Sequence, residues 1–190
     1  MAWTDPRDWT TGELVTAAIM NTHVRDNLDY LYSNAGFALI QDEDKTVDGA
    51  SFDFTSIAAT FKHLRIIAHL RGTTGAGTVA ARLRFNNDSA GNYRDNNGAA
   101  QTQIAITVEG DTGPAGAFSI YVADIANYAS SAEWRAVTLT SSNVGAGATT
   151  ANGPVAGFWT NTAAAISRVT VLPDANNWLA GSRLTLYGLN

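Results

Sequence analysis

From Phe37 onward the chain alternates apolar and polar residues with a period of two, and no helical pattern interrupts it. That period sends successive side chains to opposite faces of a sheet, one dry and one wet. The clearest run is Leu64, Ile66, Ala68 and Leu70, with Arg65, His69 and Arg71 on the other face. Val79, Ala81, Leu83 and Phe85 alternate with Arg82 and Arg84, and Ile104, Ile106 and Val108 with small polar residues. Further strands are expected around 118–122, 137–139, 166–172 and 184–186, with shorter ones at 37–40, 51–54 and 155–159. Between the runs, residues 72–77, 86–98, 110–116, 141–153 and 173–181 are rich in Gly, Asn, Ser, Thr and Asp and read as loops. Roughly eight to ten short strands joined this way give a mostly β chain, an antiparallel β-sandwich or jelly roll. A parallel α/β sheet is excluded, because its crossovers need helices.

A chain of 190 residues is long enough to close one real core. Only 15% of its residues are charged, so much of its surface is polar but uncharged. Such a surface is cheap to desolvate and suits contact with protein or sugar. The net charge of -5, without a block of Lys and Arg, sets nucleic acid aside. Absence of cysteine removes disulfides, thiol nucleophiles and thiolate metal sites. No basic start with an apolar run opens the chain, and no segment approaches the ~18 apolar residues of a membrane span. The expectation is a soluble protein made and folded in the cytoplasm, without membrane insertion.

Helical periodicity is confined to the N-terminus, which suggests an arm over 1–35 and a β domain over 36–190. Thr10-Thr-Gly-Glu13 has capping-box spacing, and Thr16 is placed to cap a helix over 17–32. Met20, Val24, Leu28 and Leu31 form a narrow apolar stripe among Asn21, Arg25, Asp26, Asn27 and Asp29. The stripe fits either the seam of a short coiled coil or a side resting on its own domain. Asn34 or Gly36 then supplies a left-handed helix end.

Motifs for chemistry fail in context. Gly75-Ala-Gly77-Thr-Val-Ala80 matches a dinucleotide fingerprint, yet it leads into the strand at 79–85 instead of a helix. Asp111-Thr-Gly113 carries the tripeptide of an aspartic protease but lies among glycines and a proline. His63 and His69 share a strand face roughly 20 Å apart, too far for one metal. Asp42-Glu-Asp44 lacks the spaced ligands of a calcium loop and reads as a solvated turn. The chain is therefore expected to be non-enzymatic, with no cofactor and no metal.

Aromatic residues are the remaining candidates. Trp3 and Trp9, with Leu14, sit in a segment too short and polar to bury them by itself, and suit docking on another protein surface or folding back onto the same domain. Tyr93, Tyr128, Trp159 and Trp178 adjoin loops, where their rings suit either core packing or stacking on host sugar.

The segment Trp9-Thr-Thr-Gly-Glu-Leu-Val-Thr-Ala-Ala-Ile-Met-Asn-Thr-His-Val-Arg-Asp-Asn-Leu28 resembles one that opens tailed-bacteriophage virion structural proteins. Gly181-Ser-Arg-Leu-Thr-Leu-Tyr-Gly188 is similar to the closing strand of many of them. The two stretches cover about 28 residues. The resemblance implies a virion component assembled in the host cytoplasm, a homotrimer whose arm attaches to other phage virion proteins while the β domain faces outward. It fits a tail fibre or receptor-binding protein that contacts host surface glycan. It fits equally a capsid decoration or head-fibre protein.

Overall fold

The computed structural model describes residues 3–33, 36–143 and 155–190. It divides into two compact units, Met1–Ala38 with Asn190, and Leu39–Leu189. Among the described residues there are twelve strands, β1 (Ala38–Asp44), β2 (Phe52–Phe54), β3 (His63–Leu70), β4 (Thr78–Phe85), β5 (Tyr93–Asp95), β6 (Ala100–Gln101), β7 (Ile104–Glu109), β8 (Ser119–Ala126), β9 (Arg135–Ser141), β10 (Val155–Trp159), β11 (Val169–Pro173) and β12 (Arg183–Leu189). They form an eight-stranded sheet, β1-β12-β3-β8-β9-β10-β5-β6, and a four-stranded sheet, β2-β11-β4-β7. Set aside β5, β6, β9 and β10, and the other eight pair first with last, second with seventh, third with sixth and fourth with fifth. A long hairpin rolled up in that way is an antiparallel jelly roll. The four remaining strands widen the larger sheet beyond β8.

The alternation expected from the sequence is realised strand by strand. In β3 and β4 the even-spaced set Leu64, Ile66, Ala68, Leu70 and Val79, Ala81, Leu83, Phe85 is buried, and the intervening residues face outward. One continuous core joins them to Phe52, Ile106, Val108, Tyr121, Ile125, Val137, Leu139, Val171 and Leu186. Burying each such side chain contributes about 1.5–3 kcal/mol.

Two expectations are corrected. Residues 86–98 are not all loop, since Tyr93–Asp95 pairs with β10 as β5. Asp42, Glu43 and Asp44 are not a turn but the end of edge strand β1. There Thr185 donates to Asp42 at 2.8 Å, Arg183 forks onto Asp44, and Lys45 pairs with Glu43. The loop read at 141–153 falls mostly outside the described residues, as does the cap expected at Asn34.

Two buried arginines fasten loops. Arg71 donates Nη1 to the carbonyls of Pro114 and Ala117, and Nη2 to those of Asp111 and Gly113, all at 2.9–3.1 Å. Arg135 donates Nη1 to Glu133 O at 2.7 Å and Nη2 to Ala164 O at 2.8 Å and to Asn161 O. Its guanidinium lies 4.4 Å from the centre of the Trp159 ring.

The smaller unit is a strap followed by a helix. Glu13 bonds back to the Thr10 N–H, as a capping box does, but the Glu13 N–H meets the Thr10 carbonyl and closes a turn instead of opening a helix. The helix begins at Thr16, whose hydroxyl accepts from the Ile19 N–H at 3.3 Å. It runs as α1 (Ala17–Met20), a π turn at Asn21–Arg25 and α2 (Asp26–Ser33).

Candidate functional site

Asn27 is the buried polar residue of the helix, and it fixes the strap. Its Oδ1 accepts from the Thr4 N–H at 3.0 Å, and its Nδ2 donates to Thr4 O at 2.8 Å and to His23 O at 3.2 Å. The amide thus satisfies a strap residue in both directions. Trp3 adds a ring contact with Tyr30, centroids 5.9 Å apart, and the Arg7 guanidinium lies 5.2 Å from the Trp9 ring. The strap therefore lies along the face carrying Asn27 and Tyr30. Met20, Val24, Leu28 and Leu31 remain exposed, Leu28 at 60% and Leu31 at 55%, and so do Trp9 and Leu14. An apolar stripe left open while a polar face is covered inverts the usual economy of an amphipathic helix.

The loop aromatics go the other way. Tyr93, Tyr128, Trp159 and Trp178 are buried, so of the two roles open to them they take core packing, and none offers a ring face to a sugar. Each ring can be buried because its polar tip has a partner. The Tyr93 hydroxyl donates to Asp88 O and accepts from the Phe85 N–H, and that of Tyr128 donates to Ala58 O. Trp159 Nε1 donates to Asp88 Oδ2 at 2.8 Å, and Trp178 Nε1 to Val171 O at 3.2 Å. Burial pushes the Tyr93 and Tyr121 hydroxyls well above the ordinary tyrosine value.

The exposed aromatic pair of the β domain is Trp134 and Phe158. Their centroids are 6.3 Å apart and their planes inclined by 59°. The sequence contains a signal for them. Val137 and Leu139 fix the inward parity of β9, which turns Trp134, Ala136 and Thr138 outward, and Trp159 does the same for Phe158 in β10. In register, Phe158 stands between Ala136 of β9 and Arg94 of β5. On the far side of Ala136 the sheet face dips into a groove of about 270 Å³ lined by His63, Arg65, Asp124, Ala126, Ala136 and Thr138. Arg65 grips Asp124 through Nε–Oδ1 at 2.6 Å and Nη2–Oδ2 at 2.7 Å. His63 Nδ1 accepts from the Asn127 N–H at 3.2 Å.

The residues considered for chemistry are placed apart. Gly75 and Gly77 lead into β4, and Asp111 belongs to the loop held by Arg71. His69 stacks on Phe118 at 4.5 Å. Among the described residues no three His, Asp or Glu converge on one metal position, and no helix is long and apolar enough to cross a membrane. What the geometry defines is a jelly roll with an aromatic-flanked groove of mixed polar and apolar lining on its larger sheet, together with a strapped amphipathic helix. Compared with protein-family models, curated proteins and solved structures, the chain matches none of them.

Proposed function

We propose that the protein is a structural, non-catalytic component of a tailed-phage virion, assembled in the host cytoplasm as a homotrimer. It is tail-associated, of fibre or receptor-binding type, and its N-terminal arm attaches to other virion proteins while the β domain meets host surface glycan. The observation that carries the reading is the open stripe of Met20, Val24, Leu28 and Leu31 beside a strap locked by Asn27. Covering that stripe with another chain recovers apolar burial that the unit by itself forgoes. The resemblance of residues 9–28 to phage virion proteins supports another virion protein as that partner. A capsid decoration or head-fibre protein is the alternative, since the same arm suits attachment to the head.

Gold-labelled antibody against the β domain, imaged on intact particles, tests the reading. Label at the tail supports it, label on the head selects the alternative, and particles without label refute both. The double substitution Leu28→Asp and Leu31→Asp places charge in the stripe, which weakens an apolar seam by several kcal/mol. It is expected to lower the mass seen by light scattering and to remove the label from particles. Unchanged mass and unchanged labelling would reject the stripe as the attaching surface.

A further inference from the structure

We infer that the outer face of the eight-stranded sheet carries a binding site for a neutral glycan, built from the Trp134–Phe158 pair and the groove at His63, Arg65, Asp124, Ala136 and Thr138. This deepens the receptor-binding half of the function proposed above and rests on it.

A pyranose ring presents an apolar C–H face bordered by hydroxyls, so its site needs an exposed aromatic ring with donors and acceptors close by. Both parts are present on one surface. Trp134 and Phe158 keep 57% and 38% of their surface open to solvent. Inclined at 59° with centroids 6.3 Å apart, they form two walls of a shallow corner. Ala136, the register partner of Phe158, and Ala126 have side chains too short to fill the space next to the rings. The groove they leave is edged by an imidazole, a guanidinium–carboxylate fork and the Thr138 hydroxyl. Each Asp124 oxygen gives one lone pair to Arg65, and a carboxylate oxygen has a second to offer a hydroxyl.

Size and charge select the occupant. With ~150–250 Å² per aromatic side chain, the open fractions of the two rings amount to about 200 Å², well short of the ~800 Å² per partner of a stable protein interface. A second copy docked on the rings alone is therefore disfavoured. At about 270 Å³ the groove lies just under the ~300–1,000 Å³ of drug-sized sites and suits one sugar unit, with neighbouring units lying over the rings. Within the groove Arg65 and Asp124 cancel, and the nearby Arg94 turns its Nη1 to the Gly91 and Tyr93 carbonyls, so the groove itself presents no surplus cation to a phosphate-bearing polymer. A neutral glycan fits both limits.

Saturation-transfer NMR on the full chain with dextran, mannan, galactan and N-acetylchitohexaose tests the site. At least one of the four is expected to bind, and Trp134→Ala and Phe158→Ala are each expected to weaken it by about tenfold or more. Ile120→Ala, an exposed position on the same sheet face away from the groove, is expected to leave binding unchanged. Failure of all four at about 10 mM sugar, or equal binding by Trp134→Ala, overturns the inference. So does a fall in oligomeric mass for Trp134→Ala, which would make the ring a contact between copies. No sugar binding with the particle label intact sinks this site alone. Loss of the label with sugar binding intact sinks the attachment reading alone.

Discussion

Replacing Arg135 by Met removes a cation that is fully enclosed, yet among the described residues no carboxylate lies within ion-pair reach of it. The guanidinium is instead held by the carbonyls of Glu133, Asn161 and Ala164 and by the Trp159 ring. Met restores most of the stem volume and relieves the desolvation that lowers the Arg135 pKa. It leaves three carbonyls without that donor, at about 1 kcal/mol each because residues 161–164 adjoin solvent and water can reach them in part. Loss of the cation–π contact adds about 1 kcal/mol. Offsetting these against the relieved desolvation, the expected loss is about 2–3 kcal/mol, or roughly 5–10 °C in Tm for a domain of this size. Urea unfolding followed by circular dichroism measures it, and Arg135→Lys should lose at least as much, because an ammonium cannot span the three carbonyls. A cycle with Trp159→Leu, which removes the aromatic face, should return a coupling of about 1 kcal/mol. A stability of Arg135→Met within ~0.5 kcal/mol of the parent would refute the reasoning, since that is the scatter of neutral surface changes.

Two further outcomes follow from the packing. Burial alone would raise the Asp88 carboxyl, but hydrogen bonds from Asn92, Trp159, the Ala90 N–H and Asn161 outweigh it and hold it below the ordinary carboxylate value. A depressed native value means that its stabilisation is present above the unfolded value of ~3.9 and is lost as pH falls through the native one. Asp88→Asn should therefore cost about 1 kcal/mol at neutral pH and flatten the stability curve below pH ~4, as read by thermal melts across pH. Gly188 is a strand residue over which the Phe61 ring lies so closely that a Cβ would overlap it. Gly188→Ala should destabilise by ~1–3 kcal/mol, and Phe61→Ala in the same chain should relieve part of that loss in denaturant unfolding.

Strands with one dry face were legible in the sequence because burial writes a period of two into them, as in β3, β4, β7 and β12. β5 was not, because Tyr93-Arg94-Asp95 is too short to show a period and lies among Gly and Asn. The nesting of β1 with β12 and β2 with β11 was also hidden, since pairings across more than a hundred residues leave no local pattern. The loop aromatics were left between core and sugar because proximity to Gly and Asn suggests exposure, and what decides for the core is that Asp88 and the Val171 carbonyl accept the Trp159 and Trp178 N–H groups inside. Trp134 was legible by parity with Val137 and Leu139, but its flanking charges, Glu133 and Arg135, draw the eye from it. In the helix, the stripe was plain and the covering of the opposite face was not, because it depends on one asparagine pairing with Thr4.

The acids of β1 have a consequence beyond their bonds to β12. An open sheet margin is a template on which an identical margin can add, copy after copy, without limit. Here the margin ends in Asp42, Glu43 and Asp44, which Thr185, Lys45 and Arg183 already engage, so a strand added at that end meets charged side chains in place of an open ladder. Charged side chains at that end disfavour the addition of a further strand there, so the edge is kept by its own ion pairs to β12 and to Lys45.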